Sequence, residues 1–218
     1  MLNTIVMAAL YVVPLLFAVI IHEVSHGWVA EKLGDPTARL LGRITLNPIV
    51  HIDLIGTIIL PAVLLFTGSP FLFGWAKPVP VNFANLRGGR KDMAMVGLAG
   101  PLSNFALAAL SSALFHLTFP HFSDTAGGLN PSLWITEPVH AMARISVEFN
   151  LVLMVVNLLP ILPLDGGRIV AGLAPLRFAA AMQRIEGFGM LIVLLLIASG
   201  VWSYIVNPVI RFFWHFLM

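Results

Sequence analysis

The chain has 218 residues, 59% hydrophobic and only 10% charged, with a net charge of +2. A soluble domain carries about a quarter charged residues, so this composition describes an integral membrane protein and excludes an ordinary soluble enzyme. The small net charge argues against a nucleic-acid partner, and the absence of cysteine removes disulfides and thiolate metal ligands.

Residues 1–23, MLNTIVMAALYVVPLLFAVIIHE, lack a positive n-region and a small-residue cleavage site, and read as a retained first helix rather than a signal peptide. Four stretches are long enough to cross about 30 Å of hydrocarbon as helices: 4–30, 93–119, 139–164 and 187–210. A fifth, 54–73, is apolar but interrupted by Pro61, Gly68 and Pro70. The expected fold is an all-α polytopic helix bundle in one domain, 1–218. Its core is 4–168, with a further C-terminal helix at 187–210 and a short extended loop. There is no internal repeat, and alternating prolines make GWAKPVPVNFAN, 74–85, extended chain.

The connecting segments differ in charge. Lys32, Arg39 and Arg43 lie in 31–53; Lys77, Arg87, Arg90 and Lys91 in 74–92; Arg168, Arg177 and Arg184 in 165–186; 120–138 has no Lys or Arg. The positive-inside rule puts the first three on the cytoplasmic side and the last outside. Segments 31–53 and 74–92 then share a side only if 54–73 dips in and returns, which favours a re-entrant path over a span. The first and third spans consequently run in the same direction.

His22-Glu23-Val24-Ser25-His26 is H-E-x-x-H, placed directly after the apolar run Phe17–Ile21. On a helix, positions i and i+4 share a face, so two imidazoles can meet one zinc while the glutamate handles the proton of its water. The bland alternative is a pair of interfacial histidines, but idle polar groups are costly at this depth. A catalytic zinc takes a third protein ligand. Glu31, at i+5 from His26, leaves the ligand face. Asp165 in NLLPILPLDGGR, at the end of the third span, is the candidate; an Asp-Gly turn at a helix exit is the alternative. Depth favours the ligand. About 18 residues separate Thr4 from His22, about 27 Å at 1.5 Å each, which sets the histidines near the cytoplasmic face where Asp165 also lies.

H-E-x-x-H in one span and N-x-x-P-x-x-x-x-D-G in a later one (Asn157, Pro160, Asp165, Gly166) resemble the site-2 protease family of intramembrane zinc metalloproteases. GPLSN, Gly100 to Asn104, is similar to the G-P-x-x-N element of that family's intervening helix. The resemblance implies one Zn2+ held by His22, His26 and Asp165, with Glu23 as catalytic base. It also implies a transmembrane protein as substrate, and a minimal form without the PDZ or CBS domain of other members. Asn157 and Asn104 are candidates for substrate binding or oxyanion stabilisation. Against these stand an interhelical hydrogen bond for Asn157, and helix packing or a bond to a zinc ligand for Asn104. His51, His116, His121, His140 and His215 lack partner spacing and read as interfacial; Arg168 reads as a cytoplasmic anchor. The competing class is a zinc-binding transporter or an inactive scaffold. A transporter would show matched halves. The expected location is a prokaryotic plasma membrane, with the site towards the cytoplasm.

Overall fold

The structure is a computed structural model that describes residues 2–68, 74–123 and 133–218. Part of 54–73 and about half of 120–138 therefore lie outside the described residues, as does the side chain of His121. The described chain is helical, with no strand. Helix α1 spans Leu2–Lys32, α2 Thr37–Leu40, α3 Leu60–Phe66, α4 Arg90–Ser123, α5 Leu133–Asn157, α6 Asp165–Leu173, α7 Leu176–Ile185, α8 Gly189–Ala198 and α9 Val201–Leu217. Four helical stretches are long and apolar enough to cross a membrane: Ala9–Lys32, Arg90–Thr118, Thr136–Asn157 and Leu176–Ala198.

Helix α4 is the centre of the bundle and packs on α1, α5 and α6. The surfaces that meet are built from small side chains: Ala18 and Ala30 of α1, Ala94, Ala99 and Ala108 of α4, and Ala143 of α5 are buried. Helices in lipid gain from such close approach, because no hydrophobic effect drives them together. Large apolar side chains point the other way. Phe17 is 54% exposed and Leu117 71%, as a surface facing hydrocarbon requires. Ala108, Val147, Leu151, Met154 and Val206 form the main buried cluster, joining α4, α5 and α9.

Two boundaries depart from the sequence expectation. The third span ends at Asn157 instead of continuing to 164. Residues 158–164, with Pro160 and Pro163, form an irregular connection, and Asp165 is the first residue of α6. The fourth span is Leu176–Ala198 and not 187–210. Gly200 adopts a left-handed conformation (φ +74°) that halts α8 and lets α9 restart at Val201. A window of pure hydrophobicity passes straight across that break.

The 54–73 segment returns to its origin. Its first turns are a π-helix, Leu54–Ile59, capped by Asp53, whose carboxylate accepts from the Ile55 and Gly56 N–H groups. Beyond the undescribed tip, Trp75 N–H donates to Gly56 O at 3.1 Å, and the Thr57 hydroxyl donates to Trp75 O at 2.8 Å. Lys77 N–H then donates to His51 O at 2.9 Å. These bonds bring residues 51–57 and 75–77 side by side.

Candidate metal centre

Helix α1 sets His22 and His26 one turn apart, and their imidazoles meet edge to face, with ring centroids 4.7 Å apart. Each Nδ1 is committed to an acceptor. His22 Nδ1–H donates to Asn104 Oδ1 at 2.6 Å, and His26 Nδ1–H donates to the Val96 carbonyl at 2.7 Å. In a neutral imidazole the other nitrogen then carries a lone pair. The two Nε2 atoms lie 3.1 Å apart, and each is 3.2 Å from Asp165 Oδ2. That oxygen is buried and accepts no hydrogen bond.

Three lone-pair atoms at the corners of a triangle repel one another unless a cation sits among them. A point about 2.0–2.1 Å from all three, the ordinary Zn–N and Zn–O distance, lies roughly 1 Å out of their plane. The chain thus offers a three-coordinate face with an open side, and the residues fit zinc. Asp165 is suited to the task by position. Its carboxylate is buried beside both imidazoles. Its place in the first turn of α6 also favours negative charge.

Helix α4 forms the floor. A Cβ at Gly100 would stand 2.4 Å from His26 Nε2 and 2.5 Å from His22 Cε1. Only glycine lets the helix backbone come this close to both rings. His22, His26, Asp165 and Glu23 open into a cavity of about 280 Å³, bounded by Pro78 and Val79 on one flank and Val96 and Gly97 on the other.

Glu23, next to His22 in the chain, looks towards the extended segment 74–82. Its Oε2 accepts from Val79 N–H at 2.7 Å. The N–H groups of Trp75, Lys77 and Val79 therefore all point inward, to Gly56 O, His51 O and Glu23. The alternate positions, Pro78 and Pro80, carry no N–H at all. Two residues that sequence reasoning passed over hold this strap. Arg43, buried, donates from its guanidinium to the carbonyls of Lys77 (2.8 Å) and Pro78 (3.3 Å). Asp35, fully buried, follows the closing bond of α1, Asp35 N–H to Ala30 O. It accepts from Asn82 N–H at 2.6 Å and from Asn85 Nδ2 at 2.8 Å. Burial works against its charge, but these bonds and those from Thr37 prevail and keep its carboxyl below the ordinary carboxylate range.

The remaining candidates separate. Asn157 lines the cavity, with Nδ2 donating to Leu153 O at 3.0 Å in its own helix. Asn104 does not reach the cavity, which corrects its grouping with Asn157 as a substrate or oxyanion contact. It is fully buried behind His22 and serves that ligand. Glu31 pairs with Arg39, away from the metal face. Arg168 lies at the cavity edge with its guanidinium 4.9 Å from the centre of the Phe83 ring, and so is more than a remote anchor.

With this geometry in place, comparison with known proteins is informative. The chain is 37% identical over 200 residues to the Bacillus subtilis protein named "Putative zinc metalloprotease YwhC", covering 92% of this chain and 85% of that one. It is 28% identical over 189 residues to "Putative zinc metalloprotease Rip2" of Mycolicibacterium smegmatis, covering 84% of this chain and 64% of the relative. Against the protein of the same name from Mycobacterium tuberculosis it is 31% identical over 155 residues, covering 69% and 52%. The chain thus spans between about half and two thirds of the mycobacterial relatives. No family model and no solved structure matches.

Proposed function

The chain belongs to the zinc metalloprotease family, and from that premise we propose that it is an intramembrane protease of the site-2 type. It would hydrolyse a peptide bond within or beside a transmembrane helix of another protein. The observation that carries this reading is the meeting of His22 Nε2, His26 Nε2 and Asp165 Oδ2 at 3.1–3.2 Å inside a bundle of membrane-length helices. A zinc ion held by those three residues supplies Lewis acidity, activating water at neutral pH and polarising a peptide carbonyl.

The chain's own residues do the rest. Glu23 is the base. Val79 N–H occupies its Oε2, leaving Oε1 to take the proton of the attacking water and pass it to the leaving amine as the C–N bond breaks. Asn157 is the polar side chain on the cavity wall placed to meet a substrate backbone, and its Nδ2 keeps one hydrogen for that purpose. A helix keeps its carbonyls hydrogen-bonded within itself, so a substrate helix would unwind before cleavage. The strap would offer the unwound segment an extended edge for strand addition, through backbone groups that Arg43 and Glu23 leave open. The basic connections favour a site on the cytoplasmic side, reached by water from there, and the membrane proposed is a prokaryotic plasma membrane.

The test is Glu23→Gln with a co-expressed single-span membrane protein. Expected are one zinc per chain, as in the wild type, and cleavage reduced about 10²–10⁴-fold. Undiminished cleavage would remove Glu23 from its role. A purified wild type that holds no zinc would remove the site.

A further inference from the structure

Asn150 lies in the middle of α5 and is 1% exposed, in an apolar helix where an unpaired amide is costly. It is bonded at both ends. Asn150 Nδ2 donates to the Ser146 carbonyl at 2.8 Å and to the Ser146 hydroxyl at 3.2 Å, while Asn150 Oδ1 accepts from Asn104 Nδ2 at 2.8 Å. Asn104 Nδ2 also donates to Ala18 O at 3.2 Å, and Asn104 Oδ1 accepts from His22 Nδ1–H. The series Ser146–Asn150–Asn104–His22 links α5, α4 and α1 without a gap.

Its direction is fixed. A backbone carbonyl only accepts, so Ser146 O requires the NH2 of Asn150 on its side, and Oδ1 then faces Asn104. That oxygen, at 2.8 Å, and the Ala18 carbonyl, at 3.2 Å, together require the NH2 of Asn104, which leaves Oδ1 of Asn104 to face His22. His22 must then carry its proton on Nδ1 and its lone pair on Nε2, aimed at Asp165. With the Asn104 amide reversed, an NH2 would face Nδ1 and put the ring proton on Nε2, in the place of the metal. His26 needs no such help, because a backbone carbonyl, Val96 O, sets its tautomer directly.

We propose that Asn150 is a positioning residue for His22, acting through Asn104 to hold the imidazole in its metal-binding tautomer. The inference rests on the zinc reading of His22, His26 and Asp165. Its test is zinc affinity of the purified full chain in detergent, measured by competition with a chromophoric chelator. The variants are Asn150→Leu, Asn150→Asp and Asn104→Ala, with Asn150→Leu also combined with Asn104→Ala. Asn150→Leu is expected to weaken zinc binding about ten-fold, at the low end of what outer hydrogen-bond partners contribute. Asn150→Asp, held neutral by its apolar surroundings, keeps the acceptor for Asn104 and an O–H for the Ser146 carbonyl, and is expected to stay within about two-fold of wild type. In the Asn104→Ala background, Asn150→Leu is expected to add nothing. Wild-type affinity in Asn150→Leu, or independent multiplying losses in the double variant, would overturn the proposal. Should Asn150→Leu fail to fold, a ten-fold loss in Asn150→Asp would overturn it instead. A wild type without zinc would refute the metal centre itself, a separate result.

Discussion

His22 and Glu23 are neighbours in the chain, yet they belong to two differently built regions. His22 faces the helix side, where α4 and α5 hold it through buried side-chain amides and a glycine floor. Glu23 faces the strap, an extended segment stiffened by prolines and held by Arg43 and Asp35. The helix side is rigid by packing and sets metal geometry. The strap depends on a few polar bonds from short connecting segments, and it sets where the base sits. Elements with few buried apolar contacts open at lower free energy than a helix core. On the proposed reading, the strap that binds Glu23 Oε2 is the part able to move, while the helix that carries His22, Glu23 and His26 is not.

Perturbations on the two sides should therefore separate metal binding from turnover. The largest effect is expected from Gly100→Ala, which touches no ligand by identity but sets a methyl group against both imidazoles. Metal analysis should find zinc lost altogether; one zinc per chain in this variant would show that the floor can yield. Next comes Arg43→Ala. The strap loses its clamp on Lys77 O and Pro78 O, and kcat is expected to fall about 10–100-fold, since misplacement by 1 Å costs that much. Zinc content should stay unchanged. Loss of zinc here would erase the distinction between the two regions.

A smaller change is expected from Asp35→Ala, which strands the N–H groups of Asn82 and Thr37. Thermal unfolding in detergent should show a loss of about 1–3 kcal/mol. Because the folded-state pKa of Asp35 is lowered, its contribution is complete above the unfolded-state pKa and disappears as pH falls through the lower folded value. Asp35→Asn should remove that acid-side dependence, visible as a flatter stability profile between the two. The smallest effect is expected from Thr57→Val, which frees Trp75 O and Asp53 N–H at the joined ends of the 54–73 excursion. A shift of under about 1 kcal/mol, with cleavage intact, would mark that junction as peripheral to both regions.

The metal side was the more legible in sequence, for a physical reason. The spacing of His22 and His26 follows from the helical period, and Asp165 is reached by counting membrane crossings from charge. Both arguments need only the helices to exist. The strap's supports obey no period. Arg43 and Asp35 lie in short irregular connections, and their partners are backbone groups about 35 to 50 positions away, which no local pattern encodes. Asn150 is different, since a signal was present: a polar residue in the apolar run FNLVLMVV is the same anomaly that drew attention to HEVSH. It is easily passed over because an amide holds no metal. The misjudged ends at 164 and 210 share one cause, because hydropathy averages over the connection at 158–164 and the single left-handed residue at Gly200.

The order of His22 and Glu23 along α1 has an angular consequence. Successive residues of an α-helix point 100° apart, whereas residues four apart are only 40° out of line. His22 and His26 therefore define one bearing about the α1 axis, and Glu23 another, a little over a quarter-turn from His22. Both bearings open onto the one cavity that Val96, Gly97, Pro78 and Val79 also line. On the proposed reading, a peptide bond would meet metal and base from between the two bearings, and the azimuth of attack would follow from the adjacency of two letters in the sequence.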